Sequence, residues 1–129
     1  MFLRRCAVTA AATLGALLLA SPGAFAGAGV KTSGTAGGQV TCIAEGVTVI
    51  DASCSVRDTK HDGHSVAMEW RWVNRKGEVV NSGGLVENHD GVGSEVCENF
   101  RWFSDDGVTL QFRAVVLKTT NGFGKWKTF

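Results

Sequence analysis

The sequence predicts an all-β protein, a small antiparallel β-sandwich of seven or eight strands. Short runs alternate apolar with polar side chains, turn-forming pairs such as Asp-Gly and Asn-Gly separate the runs, and glycine and β-branched residues are frequent. The runs recur at intervals close to the roughly 8–12 residues typical of sandwiches. An immunoglobulin-like arrangement fits this pattern, and a small β-barrel is the alternative. Strands do not alternate with helical patterns, which excludes a parallel α/β fold.

The chain of 129 residues divides into three parts. Residues 1–26 have the layout of a secretory signal peptide, with two arginines, an apolar run and the small-residue site Ala24-Phe25-Ala26 before the expected cleavage. The apolar run, residues 7–20, is shorter than the roughly 20 residues that span a bilayer, so we expect a secreted protein without a membrane anchor. Residues 27–38, rich in Gly, Ala, Ser and Thr, are predicted to be a flexible leader, and residues 39–129 a single β domain.

The predicted mature chain has a nearly neutral charge balance. The signal peptide holds two of the 13 basic residues and none of the 12 acidic ones, which leaves 11 basic residues and a formal net charge of −1. Binding to nucleic acids or to anionic membranes usually depends on a strongly basic surface. We therefore expect neither a nucleic acid nor a membrane as a partner.

The first half of the domain contains three predicted strands. Residues 39–44 alternate, and a turn at Glu45-Gly46 leads to a second extended run, residues 47–56. A polar loop then ends in Asp62-Gly63, a strong turn signal. The clearest strand of the protein follows, residues 65–73, in which the apolar side chains that share a face are Val66, Met68, Trp70 and Trp72.

The second half contains four or five further strands. Residues 78–81 and 85–86 are short runs on either side of the Ser82-Gly83-Gly84 turn, and residues 95–103 alternate with Glu98 as the exception. The longest run is 108–118, with inward positions Val108, Leu110, Phe112, Ala114 and Val116. Asn121-Gly122 predicts a last hairpin onto residues 123–129.

Three cysteines follow the predicted signal peptide, so one pair and one further thiol are expected. Proximity favours Cys42–Cys54, which would close a loop of about a dozen residues. A hairpin about Glu45-Gly46 would place Cys42 opposite Val49, so this bond is expected to need an offset, a bulge or a second sheet.

The remaining cysteine leaves several alternatives open. A Cys54–Cys97 bond, with Trp70 between the two in sequence, would resemble the bond across the sheets of immunoglobulin domains. If Cys42 and Cys54 pair instead, Cys97 is expected to be a buried or free thiol, or the site of an intermolecular disulfide. The protein is then a monomer, or a dimer through Cys97.

Two polar loops hold the residues best suited to chemistry. The first contains Asp58, His61, Asp62 and His64, and imidazole with carboxylate suits Zn²⁺. The spacing does not match a calcium loop, however, and aspartates in turns commonly accept hydrogen bonds from their own backbone. We predict a solvated turn here, with no metal and no cofactor.

The second polar loop contains His89 and Asp90, followed by Ser94 and Glu95. These are the residue types of a hydrolase, but neither a Gly-x-Ser-x-Gly elbow nor a cysteine–histidine signature occurs. No catalytic residue is therefore assigned.

The four tryptophans fall into two groups. Trp70, Trp72 and Trp102 have apolar residues at alternate positions, which predicts that they pack in the core. Trp126 lies between two lysines close to the end of the chain, and it is the best candidate for an exposed aromatic ring that stacks on a ligand.

Residues 56–66 resemble a segment of short, uncharacterised exported proteins of filamentous actinobacteria. Those proteins share a signal peptide, an Asp-x-Lys-x-Asp-Gly turn between strands and a late strand similar to residues 108–116. They often carry a cysteine pair near the C-terminus, whereas residues 119–129 here contain no cysteine. The family has no agreed activity, so the resemblance implies export and an all-β fold.

These observations favour a non-catalytic extracellular binding module for a protein or a glycan. The loops of residues 57–63 and 88–94 would be the recognition elements, because loops on rigid sheets commonly carry binding residues. The candidate binding residues are Asp58, His61, Asp62, His64, His89, Asp90 and Trp126. The alternatives are a secreted hydrolase inhibitor and a cell-surface structural protein, and a small hydrolase is less favoured.

Overall fold

A computed structural model describes residues 29–129, and the predicted signal peptide lies outside this range. The described chain forms eight β-strands: β1 (Gly29–Thr35), β2 (Gly38–Glu45), β3 (Val49–Asp58), β4 (Val66–Asn74), β5 (Val79–Asn88), β6 (Glu95–Phe103), β7 (Val108–Val116) and β8 (Lys127–Thr128). A 3-10 turn, Ser104–Asp106, joins β6 to β7. In the part of the chain that the structure describes, no helix is long and apolar enough to cross a membrane.

The strands form two antiparallel four-stranded sheets, in the orders β1-β2-β3-β6 and β5-β4-β7-β8. The prediction of an antiparallel β-sandwich is confirmed, and the sheets are not closed into a barrel. These orders are compatible with an immunoglobulin-like arrangement: if β2 to β8 are taken as strands A, B, C, C′, E, F and G, the sheets become A-B-E and C′-C-F-G, and β1 is an additional strand beside A.

Alternate positions of the strands fill the space between the sheets. Fully buried side chains include Val40, Ile50, Met68, Leu110 and Phe112. An aromatic cluster joins the two sheets, and its members are Trp70, Trp72, Phe100, Trp102, Phe112 and Phe129. The prediction that three of the tryptophans pack in the core is confirmed. Trp102 belongs to the buried core cluster, and Trp70 and Trp72 are half-buried and pack against that cluster.

A disulfide joins Cys42 and Cys54, as proximity predicted, and both side chains are fully buried. The two residues are direct cross-strand partners of β2 and β3, with their Cα atoms 4.0 Å apart. The prediction that this bond needs an offset, a bulge or a second sheet is wrong, because the hairpin of β2 and β3 is centred on Thr48 and not on Glu45-Gly46. Glu45 pairs with Asp51, so the loop between them is longer than a two-residue turn and brings the cysteines into register.

No cysteine among residues 29–129 is a free thiol. The expectation of a free thiol at Cys97 is therefore wrong. Cys97 lies half-buried on β6, directly opposite Ser55 of β3. Because Cys97 is only half-buried and lies outside the buried apolar cluster, the prediction of a buried thiol at this position is also wrong.

The predicted flexible leader is wrong over the residues that the structure describes. Residues 29–35 form β1, which pairs with β2 over its whole length, and β2 itself begins at Gly38. The side chain of Ser33 explains how β1, which has so few apolar residues, is held against the rest of the sandwich. Its hydroxyl is fully buried, donates to the carbonyl of Lys125 at 2.7 Å and accepts from the amide of Ala114 at 3.0 Å.

The strand β5 is continuous where two short strands were predicted. Its Ser82-Gly83-Gly84 segment is a bulge against β4, with a register shift between Trp70 and Arg71. A Cβ on Gly83 would lie 2.1 Å from the carbonyl oxygen of Trp70, so only glycine fits this crossing. The turn residues that predicted a break therefore mark a bulge in an edge strand.

We expect Ser33→Ala to lower the free energy of unfolding by about 1–3 kcal/mol, because it leaves the buried amide of Ala114 without an acceptor. Urea unfolding followed by tryptophan fluorescence measures this change. The matched control is Thr32→Ala at the neighbouring exposed position, for which we expect less than about 0.5 kcal/mol. Equal effects of the two substitutions would contradict the bridging role of the Ser33 hydroxyl.

Candidate functional site

The two polar loops predicted to carry recognition lie at the same end of the sandwich. The amide of Gly93 donates to the carbonyl of Asp58 at 3.0 Å, which joins the second loop to the start of the first. Asn88 holds the same junction from inside, and its side chain is fully buried. Its amide group donates to the carbonyls of Val56 and Ser94, and its oxygen accepts from the Asp90 amide and the Ser94 hydroxyl.

The aspartates of the first loop are engaged in turns. Asp58 is buried and accepts from the amide of Lys60 at 3.1 Å, and Asp62 accepts from the amide of His64 at 3.0 Å. His61 and His64 are exposed. Among residues 29–129 no group of three or more His, Cys, Asp or Glu side chains is arranged to hold a metal ion. The loop is therefore a turn in which the carboxylates of Asp58 and Asp62 both accept hydrogen bonds from the turn's own backbone amides.

The second loop places its two candidate residues differently. Asp90 is exposed, and its amide is held by Asn88. His89 is also exposed, but its ring contacts two side chains: Nδ1 lies 2.6 Å from the hydroxyl of Ser65, and Nε2 lies 3.1 Å from the carboxylate of Glu87. The sequence identified His89 but neither of its partners, of which Ser65 is 24 residues distant and Glu87 is two residues distant.

Trp126 belongs to a different surface, the outer face of the β5-β4-β7-β8 sheet. Its ring is half-buried and lies against two guanidinium groups, with ring centroid to Cζ distances of 3.8 Å for Arg71 and 4.5 Å for Arg113. Cζ of Arg113 also lies 4.3 Å from the ring centroid of Phe123. We refer to Phe123, Arg113, Trp126 and Arg71 as the cation–aromatic ladder.

Polar partners fix both arginines of the ladder. Glu69 accepts from Nε of Arg113 at 2.9 Å, with Nη2 at 2.8 Å, and this is the least exposed ion pair among the described residues. Nε of Arg71 donates to Gln111 at 2.5 Å, and Gln111 donates in turn to Thr128 at 2.8 Å. Each arginine is therefore held by a planar acceptor at its edge and an aromatic ring at its face.

The ladder borders a cleft of about 530 Å³ on the same face. Glu69, Arg71, Val115 and Phe123 line it. Its apolar rim is open to solvent, with Leu85 and Phe123 each 50% exposed and Val79 48% exposed. Charged, planar and apolar groups thus meet at one concave surface, in a volume within the range of about 300–1,000 Å³ usual for ligand sites.

Another concavity, of about 680 Å³, lies at the end of the sandwich opposite the polar loops. The turn at residues 74–77, the 3-10 turn and Phe129 line it. The charged side chains of that turn, Arg75 and Lys76, are exposed. The polar groups there are thus less firmly positioned than the two arginines of the ladder.

An exposed ion pair lies on the other sheet. Arg101 donates to Asp51 at 2.6 Å, and this hydrogen bond lowers the pKa of the Asp51 carboxyl and raises the pKa of Arg101. Both side chains are more than half exposed, so the pair contributes little to stability.

Comparison of the chain with protein-family models, with curated proteins and with solved structures finds no match.

We expect Asn88→Ala to lower the free energy of unfolding by about 2–4 kcal/mol, since it removes four hydrogen bonds and leaves buried carbonyls unpaired. The control from the same end of the sandwich is the double variant His61→Ala/His64→Ala. It should change stability by less than about 0.5 kcal/mol and leave the metal content unchanged. Chemical denaturation and elemental analysis test both, and loss of a bound metal from the double variant would contradict the turn interpretation.

Proposed function

We propose that the protein is a secreted glycan-binding module and that the cation–aromatic ladder with its cleft is the binding surface. A sugar ring presents an apolar face of C–H groups and a rim of hydroxyls. Aromatic and aliphatic side chains match the first, and planar guanidinium, carboxylate and amide groups match the second. The observation that carries the proposal is the convergence of both kinds of group at one cleft.

Preorganisation supports this choice. Arg113 is held by Glu69 and by two aromatic rings, so little side-chain entropy remains to be lost when a ligand binds. An arginine has five N–H donors, and the contacts to Glu69 involve only part of the guanidinium of Arg113. Arg113 does not itself line the cleft, so we expect its remaining donors to reach sugar hydroxyls at the border of the cleft, beside Phe123.

The exposed ring of Phe123 takes the role that the sequence suggested for Trp126. Trp126 is covered by Arg71 and Arg113, so its ring supports the site more than it forms the contact surface. Phe123 is half exposed and lines the cleft. Its ring is the aromatic surface on which a sugar would stack.

Secretion is part of the proposal, and it rests on the signal-like residues 1–26. The buried Cys42–Cys54 disulfide is consistent with an oxidising compartment. A protein partner on the same apolar rim is the competing outcome. The inhibitor and structural hypotheses have no comparable observation in the described part of the chain.

The test is a glycan array probed with the secreted protein, followed by calorimetry with the best ligand. We expect Phe123→Ala and Arg113→Met each to weaken binding at least about tenfold, or about 1.4 kcal/mol, because they remove the stacking surface and the fixed donors. Thermal melting checks that both variants remain folded.

The matched control is Phe103→Ala, which removes a ring that is also about half exposed (48%) but lies on the other sheet. Its glycan affinity should equal that of the unmodified protein. Absence of any bound glycan, or equal losses in Phe103→Ala and Phe123→Ala, would overturn the proposal. Binding of a protein through the same residues would assign the surface to a protein partner.

A further inference from the structure

A hydroxyl, an imidazole and a carboxylate form a hydrogen-bonded chain at the loop end of the sandwich. Ser65 Oγ lies 2.6 Å from Nδ1 of His89, and Nε2 of His89 lies 3.1 Å from Glu87. Ser65 immediately precedes β4, Glu87 is the penultimate residue of β5, and His89 directly follows β5. This set of groups in this order is the arrangement that activates a serine as a nucleophile.

We propose that Ser65, His89 and Glu87 form a nucleophilic triad that acts on acyl esters. The hydroxyl supplies the nucleophile, the ring nitrogen beside it accepts its proton, and Glu87 positions the ring and stabilises the imidazolium. Serine proteases use Nε2 toward serine and Nδ1 toward the carboxylate. The order is reversed here, but the chemistry needs only one basic nitrogen and one N–H donor on the same ring.

The triad lies next to the cleft described above. Glu87 and Leu85 are two residues apart on β5 and therefore share a face, and Leu85 lines the cleft. The amide of Leu117, another lining residue, donates to the carbonyl of Ser65 at 2.9 Å. A ligand that extends along β5 from Leu85 toward Glu87 would therefore approach the triad.

Neighbouring structure also holds the triad in place. His89 directly follows Asn88, whose side chain is buried and makes four hydrogen bonds. The Leu117 contact fixes the backbone of Ser65. The nucleophile and the base are therefore positioned by rigid elements, although the imidazole itself is exposed.

The reaction balances without a cofactor. Oγ of Ser65 forms a bond to the carbonyl carbon of the ester, its proton passes to Nδ1 of His89, and the bond to the leaving alcohol breaks as that proton is transferred to the alcohol oxygen. Water then attacks the acyl-serine and gives a proton to the same nitrogen. Release of the carboxylic acid returns the proton to Ser65.

Turnover is expected to be slow. The nearby amides of Lys60, His64 and Asp90 already donate to side chains of their own turns, so they are not available to stabilise an oxyanion. Covalent capture of the serine is therefore a sharper readout than steady-state hydrolysis.

The experiment treats the full secreted protein with a fluorophosphonate probe and with p-nitrophenyl acetate. Intact mass and peptide mapping are expected to show one adduct, on Ser65. Ser65→Ala should abolish labelling, and His89→Ala should slow it at least tenfold. The control His64→Ala, an exposed histidine of the neighbouring loop, should label at the unmodified rate.

Glu87 is a positioning residue, so its test separates orientation from binding. Glu87→Gln should lower the maximal labelling rate without changing the probe concentration at half-saturation, and Glu87→Asp should recover part of the rate. Thermal melting of each variant excludes loss of fold as the cause.

The inference is overturned if the probe labels another residue or none, or if Ser65→Ala releases p-nitrophenol at the unmodified rate. It is also overturned if His64→Ala slows labelling as much as His89→Ala does. None of these readouts uses a glycan, so failure of the triad and failure of the glycan proposal are distinguishable.

Discussion

The pairing of β4 with β7 determines both what the protein buries and what it presents. This antiparallel register places Trp70 opposite Phe112 on the inner side, and it places Glu69 opposite Arg113 and Arg71 opposite Gln111 on the outer side. Because side chains alternate along a strand, a slip of one residue would exchange the two faces. The packing of apolar side chains between the sheets therefore fixes which polar side chains are paired on the outer face.

Much of the fold could be predicted, and the exceptions have physical reasons. The alternation of β4 and β7 and the boundaries of β6 were predictable because each strand has one buried face. The strand β1 was not, since it is held by backbone pairing and by the hydroxyl of Ser33 and not by an apolar pattern. The cysteine register was also missed, because hairpin symmetry depends on loop length, and the sequence around Glu45-Gly46 suggested a shorter loop.

The candidate sites were predicted less completely. His89 and Trp126 were identified as single residues, but Ser65, Arg71 and Arg113 come from distant segments that only tertiary structure brings to them. Glu69, Arg71 and Arg113 resemble ordinary solvated positions on a strand, and only the cross-strand register joins them into a ladder. Asn88 gave no signal, since its role depends on being buried at the junction of two loops. The resemblance to exported actinobacterial proteins stays an expectation.

The Ser33 bridge has a consequence for how the molecule unfolds. The Ser33 hydroxyl, which belongs to β1, contacts β7 and the segment that leads into β8, both on the β5-β4-β7-β8 sheet. The backbone of β1, in contrast, pairs along its length with β2 in the opposite sheet. The first strand of the described chain, β1, and the segment that leads into β8, the last strand, are thus joined through one buried group. Fraying of either strand would expose that group to water, so the two strands should exchange their amide hydrogens as one cooperative unit, despite lying about ninety residues apart in sequence.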